Sequence, residues 1–137
     1  MPGYLDPTLP TQQRVADLLG RMTLPEKVGQ LLQLDAQGDL DDLVSVTHVG
    51  SLLHIPPDRM DRAIELAAAT RLGIPLLLAD DCIHGHSFWP GATIFGTQLA
   101  LACSWHPDNA RRAARIPAVE ATSTALPWTS PPVLCIS

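Results

Sequence analysis

The 137-residue sequence predicts an α/β fold built on a parallel sheet. Three observations carry that prediction. Ile74 to Ala79 is a nearly continuous apolar run of strand length, as expected for a strand buried on both faces. Val49-Gly-Ser-Leu-Leu53 reads as a second short strand. Between them, Pro56-Pro57-Asp58 opens a helix to about Arg71. Strand, helix and strand within about 30 residues form a βαβ unit.

The elements follow in order. Residues 1–10 are a proline-punctuated lead-in. Val15, Leu18, Leu19 and Met22 then recur at helical spacing and form one apolar stripe, weakened by Gly20. Thr23-Leu-Pro-Glu26 fits a capping box, with Pro25 in the first turn, where its missing N–H costs nothing. Leu24, Val28, Leu31 and Leu32 line one face of the helix it opens. Residues 38–46 read as a loop with a short helix.

In the central helix, Met60, Ile64, Ala67 and Ala68 are expected on the inner face, the charges of residues 58–65 on the solvated one, and Gly73 as the stop. Residues 84–96 are loop. A short helix over Thr97–Cys103 precedes a clearer one from Pro107 to about Arg115, which Pro117 should break. Trp128 to Ile136 resembles another buried strand, its ladder disturbed by Pro131 and Pro132. Trp105 and Trp128 read as core, and His48 and His54 as packing or surface residues flanking a strand.

Composition narrows the function classes. Apolar residues make up 46%, and no run reaches the roughly 20 residues that span a bilayer. A formal charge of −5 leaves few cations to neutralise phosphates, which argues against nucleic acid as a partner. Met1 to Pro10 lacks the pattern of a signal peptide. The widely spaced Cys82, Cys103 and Cys135 read as reduced thiols, so a cytoplasmic location is expected.

The informative segment is Leu72-Gly-Ile-Pro-Leu-Leu-Leu-Ala-Asp-Asp-Cys-Ile-His-Gly-His86. An apolar strand ends in Asp80-Asp81 and passes into a loop holding His84, Gly85 and His86. Carboxylates at the carboxyl end of a barrel strand are usually functional; the bland alternative is a cap on the following turn. Successive strand side chains point to opposite faces, so only one of the pair faces a barrel mouth. The two therefore cannot act together across one ligand. Asp81 is the ligand-facing candidate, and Asp80 is packed or hydrogen-bonded to the loop.

Arg14 to Gln30 resembles the opening helices of family 3 glycoside hydrolases, the β-glucosidase type. So do residues 49–53, 70–78, Asp80-Asp-Cys-Ile-His-Gly-His86 and Gly91-Ala-Thr-Ile-Phe95, in the expected order; Trp105-His-Pro107 and Trp128 to Val133 are weaker matches. The resemblance implies an incomplete (β/α)8 TIM-type barrel, about the first three βα units of eight, because a full barrel needs about 250 residues. It divides the chain into the lead-in, N-terminal helices over residues 11–47 and first barrel units over residues 48–137. By position it makes Asp81 a residue that binds sugar hydroxyls next to the scissile bond. The implied substrate is a β-linked glucoside or oligosaccharide.

In that family the nucleophilic aspartate and the general acid/base lie farther along the chain. Glu26 fits a cap, Glu65 lies on an amphipathic helix and Glu120 follows Pro117, so none replaces them. The expectation is a fragment inactive on its own, with no catalytic residue and no cofactor. Departures from the family pattern cluster after residue 95: Gly96 in place of Pro, His106 in place of Asp, and Pro117 and Pro127.

Other readings stay open. Asp80, Cys82, His84 and His86 alternate, and on an extended segment they could ligate zinc, but Gly85 argues for a bent loop, so no metal is expected. Trp89, beside Phe88 and Pro90, offers a face for stacking on a sugar or a roof over the core. The chain could act as a carbohydrate-binding module through Asp81, His84 and Trp89, or as a partner whose barrel another chain completes. Exposed sheet edges predict self-association.

Overall fold

A computed structural model describes residues 2–130. The elements are α1 (Thr11–Arg21), α2 (Leu24–Gly29), β1 (Gln33–Asp35), β2 (Ser51–Leu53), α3 (Pro57–Ala69), β3 (Leu77–Asp80), α4 (Gln98–Cys103), α5 (Pro107–Ser123) and β4 (Trp128–Thr129). A 3₁₀ turn at Gly3–Leu5 precedes α1, and a single wide helical turn at Asp42–Val46 lies between β1 and β2. The strands form one parallel sheet in the order β1-β2-β3-β4, so each strand pairs with its neighbour in sequence. This α/β architecture with a parallel sheet is the expected class.

The sheet has four strands where three were expected. The additional one, β1, lies inside the stretch assigned to N-terminal helices. It is only three residues long and reads exposed-intermediate-exposed, so it carries no apolar run to announce it. Parallel pairing fixes it, with Gln33, Leu34 and Asp35 opposite Ser51, Leu52 and Leu53. At Gly50, just before β2, a Cβ would stand 2.4 Å from the Gln30 carbonyl oxygen, so only glycine allows the α2 end to approach so closely.

The Thr23 capping box forms as expected: the Glu26 N–H donates to Thr23 Oγ1 (3.4 Å), and the Thr23 N–H donates to Glu26 Oε2 (2.7 Å). Arg71, just past α3, donates to the same carboxylate at 2.6 Å, which holds the Glu26 carboxyl well below its usual range, at about 2. Arg59 is not simply solvated. It donates to the Ala36 and Gly38 carbonyls at 2.6 Å and ties α3 to the loop after β1.

The core sits between the sheet and α3. Leu52, Leu78, Met60, Ala63, Leu66 and Ala67 form its centre, and Val44, Ala121 and Leu126 extend it. Ala63 and Leu66, rather than Ile64 and Ala68, complete the inner face of α3; Ile64 and Ala68 are exposed. Strand β3 begins at Leu77, later than Ile74, and extends through Asp80.

Three apolar expectations are corrected. Leu24 and Val28 on α2 and Leu31 just past its end fall at helical spacing, but Leu31 is 86% exposed and the other two are also open. Trp105 is 93% exposed and Trp128 is half-open, so neither is core. Trp105 occupies the turn between α4 and α5 with a left-handed φ of 51°.

Pro117 does not break α5, which runs on to Ser123. Its ring is buried, and tertiary contacts hold the distal half of the helix. The Thr93 N–H and hydroxyl both donate to the Glu120 carboxylate, and Ala121 is buried in the core. These contacts outweigh the lost helical hydrogen bond. Strand β4 begins at Trp128 as expected; residues 131–136 of the proposed strand lie outside the described residues.

Candidate functional site

Parallel strands deliver their carboxyl ends to one edge of the sheet, and there the polar groups collect. Asp35 closes β1, His54 follows β2, and Asp80 and Asp81 close and follow β3. Strand alternation splits the aspartates as expected. The Asp80 side chain is 2% exposed, while that of Asp81 is 36% exposed.

His54 organises the open side. Its Nε2 lies 3.1 Å from Asp81 Oδ2, and its Nδ1 lies 3.4 Å from Asp35 Oδ2. Asp80 Oδ1 is 3.9 Å from the same Nε2. Burial works against the imidazolium, but the hydrogen bonds to Asp81 and Asp35 outweigh it and raise the His54 pKa. His54 adopts a left-handed φ of 55°. Phe88 covers that ring, with centroids 4.6 Å apart.

The imidazole fills the space between Asp35 and Asp81, so no sugar ring fits between these two carboxylates. They do not form a nucleophile and acid pair. The Asp81 carboxylate stands on an open rim, and none of the main cavities lined by described residues includes it. What the arrangement offers is a half-exposed hydrogen-bond acceptor with a fixed direction.

The closed side carries a second network, joined to the first through Asp80. Asp80 Oδ1 accepts from the Asp81 N–H at 2.7 Å, and Asp80 Oδ2 lies 3.3 Å from His86 Nδ1. Cys82 Sγ is 3.5 Å from the same Nδ1, and Thr124 Oγ1 is 3.3 Å from His86 Nε2. Burial pushes both the Asp80 carboxyl and the Cys82 thiol up. The loop returns at Gly85, whose φ is 131°; a Cβ there would stand 2.2 Å from the Thr93 carbonyl oxygen.

The sequence-predicted residues therefore part company. Asp81 reaches the rim. His84 does not join it: its Nδ1 is buried without a hydrogen-bond partner, and its carbonyl accepts from the Phe95 N–H at 2.7 Å. Trp89 packs against the core, and its ring stacks on buried His86 at 5.6 Å. Of the alternating set Asp80, Cys82, His84 and His86, the bend at Gly85 brings together Asp80, Cys82 and His86 and leaves His84 out.

His54 and Asp35 were missed as site residues. In the sequence His54 reads as packing or surface, and β1 carries no strand signal. The available signal was position: both stand at the carboxyl end of a parallel strand, the criterion that singled out Asp81.

Residues 23–137 match the glycosyl hydrolase family 3 N terminal domain. The chain is 32% identical over 130 residues to the periplasmic β-glucosidase of Salmonella typhimurium, covering 90% of this chain and 16% of that protein. Among solved structures it is similar to a β-glucosidase involved in saponin metabolism from intestinal bacteria, with a TM-score of 0.74 and 58% identity over 90% of this chain and 16% of that one. It is also similar to the Listeria innocua β-glucosidase solved in complex with isofagomine, with a TM-score of 0.70 and 34% identity over 88% of this chain and 18% of that one. The chain thus spans less than a fifth of these relatives. It belongs to glycosyl hydrolase family 3, within the family's N-terminal domain.

Proposed function

We propose that these residues are the opening units of a TIM-type barrel in a β-glucosidase-like glycosidase, and that Asp81 accepts hydrogen bonds from the hydroxyls of a β-linked glucoside. The observation that carries this reading is the Asp81 carboxylate, half-exposed at the carboxyl end of β3 and oriented by His54. Active sites in barrels of this kind lie on that face. The relatives named β-glucosidase supply the substrate class. His84 shapes the loop behind Asp81. Trp89 roofs it through His86, and Phe88 lies nearer the rim.

Hydrolysis needs more than this. A retaining mechanism requires a nucleophile and an acid on either side of the glycosidic bond, about 5–5.5 Å apart. Glu26 is engaged by Thr23 and Arg71, and Glu120 by Thr93, so neither is free for that work. No turnover is therefore expected from the 137 residues alone. The test is release of p-nitrophenol from an aryl β-glucoside by the pure chain. No release is expected; turnover abolished by Asp81→Ala would overturn the reading.

The open apolar faces favour one extension of it. Leu24, Val28 and Leu31 on and beside α2, and Leu99 and Val119 on α4 and α5, lie exposed. Further barrel units, on the same polypeptide or a second one, would cover such faces and the β4 edge. Without them the chain should self-associate at higher concentration, visible as concentration-dependent sedimentation.

A further inference from the structure

We propose that Asp80, Cys82 and His86 form a site for a thiophilic divalent cation, with zinc as the best match. The site is distinct from the sugar-facing rim. It lies on the opposite side of the β3 terminus from Asp81, and it stands or falls independently of the glycosidase reading.

The geometry supports this in three ways. First, the donor atoms of these three side chains all lie within 4.8 Å of one another, and all three residues are buried. His86 Nδ1 is 3.3 Å from Asp80 Oδ2 and 3.5 Å from Cys82 Sγ. Bonds of about 2.0–2.3 Å at tetrahedral angles place nitrogen and oxygen donors about 3.3 Å apart, and nitrogen and sulfur about 3.6 Å apart. Small adjustments would bring the three onto one ion, with a water molecule as the fourth ligand of a tetrahedral site.

Second, the supporting contacts are in place. His86 turns Nδ1 toward the other two donors, and its Nε2 meets Thr124 Oγ1 at 3.3 Å. The Thr124 hydroxyl donates to the Ala121 carbonyl at 2.9 Å, so it accepts from Nε2–H and leaves Nδ1 to ligate, the usual arrangement behind a metal-bound histidine. Asp80 is held through its other oxygen by the Asp81 N–H.

Third, Thr129 Oγ1 in β4 is buried and lacks a hydrogen-bond partner. It faces Cys82. A thiolate bound to a cation would accept from that hydroxyl. A set of sulfur, imidazole and carboxylate suits zinc better than magnesium or calcium, which prefer oxygen alone. On binding, the Cys82 thiol proton leaves to solvent.

The test uses the chain with reduced thiols, stripped by chelator and shown to be folded by circular dichroism. Titration with Co(II) should give a near-ultraviolet thiolate-to-cobalt charge-transfer band and tetrahedral visible bands, saturating at one ion per chain and displaced by Zn(II). The Cys103→Ser, Cys135→Ser double variant should keep the spectrum, and Cys82→Ser should lose the charge-transfer band. Because a core substitution can prevent folding, Thr124→Val provides a second test with the ligand set intact; its Co(II) affinity should fall about 10–100-fold. No charge-transfer band in the parent chain, a band that survives Cys82→Ser, a band lost in the double variant, or unchanged affinity in Thr124→Val would each overturn the proposal.

Discussion

The unit β2-α3-β3 and the unit α4-α5-β4 are built from the same kinds of element and close to very different extents. In the first, Leu52, Met60, Leu66 and Leu78 meet in a common core, and β2 and β3 each pair on both sides. In the second, Leu99 is 75% exposed, Trp105 and Val119 are also open, and β4 is a two-residue strand at the sheet edge. The difference lies in neighbours rather than in sequence quality. A βα unit in a parallel sheet buries its faces against the units before and after it, and α4-α5-β4 has a described neighbour on one side only. The first unit positions the rim residues; the second contributes Thr124 and Thr129 behind it.

The sharpest way to break this contrast is a pair of truncations. Leu52→Ala should cost about 2–5 kcal/mol, because a cavity opens where the chain is fully buried. Leu99→Ala, on the open face, should stay within about 0.5 kcal/mol. Urea unfolding of the two variants reads both numbers, and equal losses would erase the distinction.

Next in size is Gly85→Ala. The added Cβ meets the Thr93 carbonyl, and φ is 131°, so a loss of about 1–3 kcal/mol is expected. Circular dichroism melting should show the drop, and Asp81 and His54 amide shifts should move with it.

Pro117→Ala runs the other way. It restores an N–H inside α5 at the expense of a buried ring, and a gain of about 1–2 kcal/mol is expected. A rise in Tm checks it; a fall would mean that the ring's packing dominates the second unit.

The smallest effect is a pH dependence in the first unit. The Glu26 carboxyl is held down at about 2 by Arg71 and Thr23, against an ordinary 4.5. Its contribution is therefore present above about pH 4.5 and is lost as the pH falls towards 2. More than half of Arg71 is exposed, so screening keeps the contribution to about 1 kcal/mol or less. The Tm difference between the parent chain and Glu26→Gln should shrink to nothing across that window.

Much of the first unit was legible because its signals are local. The Thr23 box, the apolar run into β3 and the alternation that separates Asp80 from Asp81 are all consequences of neighbouring residues. What escaped depends on contacts distant in sequence. Strand β1 exists through pairing with β2, and Pro117 survives in α5 through Glu120 and Ala121. Trp105 is exposed because it stands in the turn between α4 and α5, a placement that hydrophobicity does not register. At the site, Asp81 was readable from its place at a strand end. His54 was not, because its partners Asp35 and Asp81 lie 19 and 27 residues away.

The central claim is that Asp81 presents a sugar-facing carboxylate from the end of β3. Isofagomine, the compound bound to the Listeria innocua relative, is the most direct probe. In a nuclear magnetic resonance titration of the chain, the account predicts saturable shifts at Asp81 and at the His54 ring, and their loss in a folded Asp81→Asn variant. Binding of equal strength in Asp81→Asn, or shifts confined to residues away from Asp81 and His54, would contradict it.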